Sequence, residues 1–282
     1  MIDRGIVIGT SISPHERLEI QSIAIESWLS HGFKVISVNC SEETQILKNN
    51  YPAITVIEHD RTGQLLARKP VIFINDILHY LRQSNGKILG IINSDIFIHQ
   101  TPDLPDKILE LCKGKLVFGP RMEVPTFNAL NGQHDPFGFD YFFFDHSLVP
   151  VWPETKFCLG MPFWDHWFPL AALLAKKNIT KMICNQFRHI PHPVSRDDSF
   201  FSFNDYFASL TIAQFKNNQI GFGKEFDHSS YEFLRNSVIE CENQLVSENV
   251  KMKRYEELAI FFDKLSKYVI KFINDRSETI NL

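Results

Sequence analysis

The first hundred residues alternate short, unbroken apolar runs with longer stretches whose apolar positions step by three and four. The run "GIVIG" at 5–9, β-branched and closed by glycine, predicts a buried strand. In "IQSIAIESWLSHG" the residues Ile20, Ile23, Ala24 and Trp28, followed by Gly32, predict a helix and its stop. "KVISVNC" and "ITVIEHD" predict two further strands. Between them "SEETQILKNNY" predicts a helix, with Ser41 as N-cap and glutamates in its first turn. "KPVIFINDILHYLRQSNG" predicts a helix with Pro70 in its first turn and Gly86 beyond its end, and "KILGIINSDIFI" a strand. This alternation predicts an α/β fold with an open, mainly parallel central sheet flanked by helices. Ligands of such sheets bind beyond the carboxyl ends of the strands. Those ends carry Thr10 and Ser11, Asn39, Asp60 and Arg61, and Asp95.

Beyond residue 100 the pattern loosens. "DLPDKILELCKG" reads as a helix, "KLVFGPRM" and "GFDYFFFDHSLV" as strands, and "WDHWFPLAALLAKKN" as a helix with an aromatic entry. "ITKMICNQFRHIPHP" supplies a late strand and then a histidine-rich loop. From residue 231 onward the chain reads as helical. There Leu258, Phe261, Phe262, Leu265, Tyr268, Val269, Phe272 and Ile273 form one apolar stripe opposite Glu256, Asp263, Lys264, Lys267 and Lys271. The expected organisation is an α/β domain over 1–225 and a helical C-terminal extension over 226–282. The stripe is expected to pack on the chain itself or to form a homodimer, since its lysines are too few and too mixed with acids for an anionic membrane.

Composition narrows the partners. Hydrophobic residues make up 44% and charged residues 22%, enough for a substantial core, and 25 phenylalanines point to an aromatic one. A net charge of −4 and the absence of basic runs argue against nucleic acid. Five scattered cysteines with no CxxC pair read as buried, reduced thiols. No leader-like segment precedes the first strand and no run is long and apolar enough to cross a membrane, so a cytoplasmic location is expected.

Asp95 interrupts an apolar run, "GIINSDIFI", where an unpaired carboxylate costs several kcal/mol if buried. Either it caps a turn after the strand, or the strand stops there to present it to a cation. Asn93, two residues earlier, faces the same way in an extended segment, so both oxygens can serve one divalent ion or one ribose. Carboxylate, amide and water suit Mg2+ or Mn2+ bound together with phosphates.

The stretch "TGQLLARKPVIFINDILHYLRQSNGKILGIINSDIFI" resembles the nucleotide-sugar-dependent glycosyltransferases of the GT-A fold, as does the order of elements over about residues 5–195. In that family a strand ends in an Asp-x-Asp-type motif that holds a divalent ion and the sugar nucleotide. This chain has Asn93 where the first Asp is common, which leaves Asp95 as the anchor.

The resemblance implies transfer of a sugar from a nucleoside diphosphate sugar to a hydroxyl of a glycan or other acceptor, in bacterial-type surface glycan synthesis. It places Thr10, Ser11 and Asn39 against the nucleoside, and Arg61, Arg68 and Lys69 where the diphosphate approaches. Asp140, among Phe139, Tyr141 and Phe142, is implied to contact donor or acceptor, with Arg121 as partner; as a plain sequence feature the two read equally as a structural ion pair. Asp165 in "LGMPFWDHWF", between Trp164 and Trp167, is implied to be the base of an inverting reaction; as a plain sequence feature it is equally a helix cap. His192, in preference to His189, is implied to join Asp95 on Mn2+ or Mg2+. A non-catalytic sugar-nucleotide or glycan binder, and a nucleotidyltransferase, are the alternative readings. Against the latter, "GTSISPHER" lacks a glycine-rich loop, and no Walker loop, GxGxxG or GxSxG occurs.

Overall fold

The computed structural model describes residues 3–99, 101–192, 198–221, 226–243 and 247–282. In chain order the elements begin β1 (Ile6–Thr10), α1 (Leu18–Ser30), β2 (Lys34–Asn39), α2 (Ser41–Asn50), β3 (Thr55–Glu58), α3 (Gln64–Ala67) and α4 (Ile74–Gln83). They continue with β4 (Ile88–Ile92), β5 (Phe97–Ile98), α5 (Leu104–Leu111), β6 (Lys115–Gly119), β7 (Met122–Glu123), β8 (Gln133–His134) and β9 (Tyr141–Phe144). After a 3-10 turn at His146–Val151 come α6 (Trp164–Leu174), β10 (Asn178–Ile183), β11 (Phe187–His189), α7 (Asp198–Asn217), α8 (His228–Asn243), α9 (Glu248–Asn274) and β12 (Glu278–Asn281).

The main sheet runs in the order β12-β10-β6-β9-β4-β1-β2-β3. All its pairings are parallel except those of β9, which runs against β4 on one side and β6 on the other. A second, small sheet, β5-β11-β7-β8, sits at the carboxyl end of β4. The side-chain alternation of β9 divides the core in two. Phe142 and Phe144 enter one cluster with Ile77, Phe168 and Leu265, while Tyr141 and Phe143 enter the other with Trp28 and Ile108. The phenylalanines are thus what the two helical layers pack against.

The predicted α/β architecture is present, with local corrections. Pro70 precedes α4 rather than opening it. A residue before proline avoids the helical region, and 68–73 form a loop, with the Gly63 amide donating to the Val71 carbonyl at 2.7 Å. Ser41 is the first residue of α2, not its cap: Cys40 holds the extended capping position, and the Ser41 hydroxyl turns to Glu42 at 3.3 Å. Gly32 ends α1 as expected, with a φ of 78° that favours glycine. His189 closes β11 instead of lying in a loop. All five cysteines are free and buried.

The C-terminal helix buries its stripe against this chain: Leu258, Leu265, Val269 and Ile273 are sealed, and α9 packs on α6, α7 and α8. The chain then adds β12 to the edge of the main sheet, beside β10. The boundary expected after residue 225 lies outside the described residues. Among the described residues no helix is long and apolar enough to cross a membrane.

Candidate functional site

A cleft crosses the carboxyl ends of β1, β2 and β4, and its floor is a set of stitched loops. Ser37 donates to Asn39, whose amide donates to the Ile12 carbonyl at 2.8 Å and to Glu43 at 2.7 Å, fixing the loop after β1 to the start of α2. The buried Gln21 of α1 holds Ser13 through both ends of its amide, donates to the Glu16 carbonyl and accepts from Ser94 at 2.8 Å. The segment after β4 is a turn closed by the Ile96 amide on the Asn93 carbonyl, and Trp28 of α1 donates to the Ile96 carbonyl. Asp95 stands at the tip of this turn. The apolar run breaks because β4 and β5 belong to different sheets, and the break carries the carboxylate into the cleft.

Three groups converge on one oxygen of Asp95. Oδ2 accepts from Arg17 Nη1 at 2.7 Å and lies 3.3 Å from His189 Nε2 and 3.6 Å from His192 Nε2. His189 is held from behind: its Nδ1 lies 3.0 Å from Glu123 Oε2. Glu123 Oε1 accepts from Arg121 Nε at 2.7 Å, and Arg121 reaches both oxygens of Asp140 at 2.9 Å and Asp135 at 3.0 Å. Asn93 donates to Asp140 Oδ1 at 2.9 Å. The polar chain therefore runs from Asp95 through His189, Glu123, Arg121 and Asp140 back to Asn93.

The charges follow from these contacts. Burial pushes the Asp95 carboxyl upward, but His189, His192 and Arg17 outweigh it and hold it far below the usual carboxylate range. Glu123 is likewise lowered, its burial outweighed by His189 and Arg121. Burial lowers and the two carboxylates raise His189, with a net upward shift. Asp140, almost wholly buried at the edge of the cleft and facing the negative charge of Asp165 and Asp95, is pushed up to about 6 despite Arg121.

The cleft has two joined compartments, of about 1000 and 1160 Å³. The first runs from Ser11, Glu42, Glu43 and Asp60 past Lys69 to Asp95 and the histidines. The second runs from Asp140 past Asp165 to Phe137, Phe200, Phe201, Tyr255 and Phe262. Arg17, Lys69, Asn93, Arg121, Asp140 and His192 line both. Asp165 occupies the first turn of α6, just after Phe163 with its left-handed φ of 69°. Its Oδ2 accepts from the Phe139 amide at 3.3 Å, and Oδ1 lies 3.1 Å from His166 Nδ1. His166 Nε2 reaches the Phe137 carbonyl at 2.9 Å.

Several expected residues stand elsewhere. Thr10 is sealed, its hydroxyl donating to the Ile92 carbonyl, and Asn39 is sealed behind Ser11, so neither lines the cleft. Arg61 is committed to both oxygens of Asp76 and to Glu154, because the end of β3 approaches α4 there. Arg68 follows α3 with a φ of 57° and lines neither compartment. Trp164 lines the second compartment, but Trp167 packs inward against Phe157. Arg17 and Glu123 carried no role in the sequence, and His189 ranked behind His192, whereas the structure brings both histidines to Asp95. Glu123 stands two positions after Arg121, which lies just before β7, and only their ion pair links them; Arg17 had only its place beyond the first strand.

Asp95, His189 and His192 offer ligand atoms that all lie within 4.8 Å of one another. One carboxylate and two imidazoles, one oriented by a second carboxylate, form a donor set that fits Mn2+ better than Mg2+.

No protein-family model and no curated protein matches the sequence. Residues 1–349 of S. aureus TarS match over 95% of this chain and 82% of that one, at 13% identity and a TM-score of 0.50. The chain has a GT-A-like glycosyltransferase fold. Lower-scoring likenesses are the mannosyltransferase PcManGT from Pyrobaculum calidifontis in complex with GDP-Man and Mn2+ and glucosyl-3-phosphoglycerate synthase from Mycobacterium tuberculosis in complex with UDP. The former has a TM-score of 0.40 at 12% identity, covering 97% of this chain and 86% of that one. The latter has 0.44 at 13%, covering 77% and 81%.

Proposed function

We propose that this protein transfers a sugar from a nucleoside diphosphate sugar to an acceptor hydroxyl, in surface-glycan synthesis on the cytoplasmic side. The observation that carries the reading is the continuity of the cleft. A nucleotide-sized compartment ending at the Asp95–His189–His192 group opens into a second one that holds Asp165. In a GT-A-like sheet this cleft lies where the strands' carboxyl ends favour a nucleotide.

In this reading Ser11, Glu43 and Asp60 face the nucleoside, and Lys69 and Arg17 the diphosphate. Asp95, His189 and His192 would hold the divalent ion, which supplies positive charge to the departing diphosphate. Asn93 and Arg121 fix Asp140, whose carboxyl receives sugar hydroxyls at the junction of the compartments. The acceptor hydroxyl lies against Asp165. Its oxygen attacks the anomeric carbon, the bond from that carbon to the diphosphate oxygen breaks, and the hydroxyl proton passes to Asp165. One base in line with the acceptor makes the transfer inverting. The His166 contact keeps the Asp165 carboxylate ionised and oriented.

A thermal-shift panel of UDP-, GDP-, CMP- and dTDP-sugars with Mn2+ tests this. Stabilisation by one nucleotide class, followed by donor hydrolysis or transfer, is expected. No stabilisation by any would remove the reading, and binding without turnover would leave a sugar-nucleotide binder.

A further inference from the structure

Arg17 is a permanent cation in contact with Asp95, and it takes the same oxygen that the two histidines approach. Its other terminal nitrogen, Nη2, donates to the Ile190 carbonyl at 3.1 Å. The fork thus spans the turn that carries Asp95 and the segment that carries His192. A guanidinium cannot lose its proton in a protein, so unlike a histidine it never becomes a neutral bystander to a metal ion.

The backbone at Arg17 is fixed locally, whereas the side chain is held through its two terminal nitrogens, by Asp95 and the Ile190 carbonyl. Arg17 has a left-handed φ of 51°, and its carbonyl accepts from the Gln21 amide at 3.1 Å. The buried Gln21 side chain holds the preceding residues on both sides. Any movement is therefore left to the long, partly exposed side chain, which borders both compartments. Arginine forks match phosphate oxygens as well as they match carboxylates.

We propose that Arg17 is a positioning cation that competes with a divalent ion for Asp95 Oδ2 and passes to the donor's diphosphate, making metal and nucleotide bind together. With Arg17 on Asp95, a divalent ion meets both a shared ligand oxygen and a fixed positive charge. A diphosphate removes both obstacles by drawing the guanidinium away. By linkage the metal then raises the affinity for nucleotide by the same factor as the nucleotide raises that for metal. The handover to diphosphate rests on the reading of the cleft as a nucleotide-sugar site; the competition for Asp95 does not.

The test is titration of the whole protein with Mn2+ alone, the free ion being counted by electron paramagnetic resonance. Arg17→Met is expected to bind Mn2+ at least about fivefold more tightly than the unmodified chain, the lower end of ordinary coupling between sites. Should that variant not melt cooperatively, Arg17→Gln keeps an amide for the Ile190 carbonyl and carries the same expectation. Unchanged or weaker Mn2+ binding in a folded neutral variant overturns the proposal, even if UDP or GDP still stabilises the protein. Tighter Mn2+ binding with no stabilisation by any nucleotide supports the competition and overturns the donor reading instead.

Discussion

Asn93 donates to Asp140 Oδ1 at 2.9 Å, tying the end of β4 to the start of the antiparallel β9 beside it. Two residues 47 positions apart thereby fix the junction of the two compartments, and Arg121 closes the clamp on both Asp140 oxygens. Removing the guanidinium strands a carboxylate that is only 4% exposed. Arg121→Met is expected to lose about 3–5 kcal/mol of stability, the usual cost of leaving one member of a buried pair without its partner. Denaturant unfolding measures it. Arg121→Lys should recover little, because one ammonium cannot serve Glu123, Asp135 and Asp140 together.

Glu123 touches His189 and not the Asp95 oxygen, so any effect on an ion held at Asp95 would run through the imidazole. Glu123→Gln is expected to weaken Mn2+ binding about 10–100-fold while leaving the fold intact. A Mn2+ titration alongside a thermal melt separates the two effects. Equal metal affinity would mean that the Asp95 group holds no ion through His189.

The parts of the site written into contiguous sequence were legible, and those made by distant pairing were not. Asp95 announces itself as a charge breaking an apolar run, and Asp165 as a carboxylate opening an aromatic helix. Thr10 and Asn39 look like strand-end ligands but are consumed in holding the loops, since a buried hydroxyl or amide takes the partner the backbone offers. The His189–Glu123 contact depends on β11 lying parallel to β7, a register no local pattern encodes. In the fold, α7 was missed because "DSFFSFNDYFASL" is rich in aromatic and short polar residues of modest helix propensity, and its packing on α3, α8 and α9 decides its form. The strand β12, "ETIN", has a largely exposed, polar pattern and exists by pairing with β10 at the sheet edge.

Asp165 and His166 make stability pH-dependent. Burial lowers His166, but Asp165, the Phe137 carbonyl and Asp135 raise it further, so its folded value lies above the ordinary one. Its stabilisation is complete below the unfolded histidine value and is lost as pH rises through the raised folded value. Asp165 is shifted down: burial raises it, and the charge and hydrogen bond of His166 outweigh that. That contribution is present above the unfolded aspartate value and is lost as pH falls through the lowered one. Melting temperature should therefore decline from about pH 6 to about pH 8.5 more in the unmodified protein than in His166→Gln. Parallel declines would show that the pair does not titrate in this window.

If Asp165 takes the acceptor's proton, its amide counterpart keeps the shape and loses the base. Asp165→Asn is expected to lower kcat about 10²–10⁴-fold. Donor binding, assigned to the other compartment in the proposed function, should be unchanged in the thermal-shift assay. A loss of donor binding with retained kcat would move Asp165 out of the proton-transfer role.

The C-terminal segment is expected to be indispensable for folding rather than a detachable extension. Leu265, fully sealed, sits in the same core cluster as Phe142 and Phe168, so truncating it removes contacts from the layer that supports β9 and α6. Leu265→Ala should cost about 2–5 kcal/mol, set by how far the neighbours can collapse into the gap. Deleting residues 255–282 goes further, removing the stripe and the β12 edge together and exposing β10, whose unpaired backbone then invites association with other chains. That truncation should be insoluble or melt far below the full chain. A soluble truncation with unchanged melting temperature and mass would mean that α9 rests on the core without stabilising it.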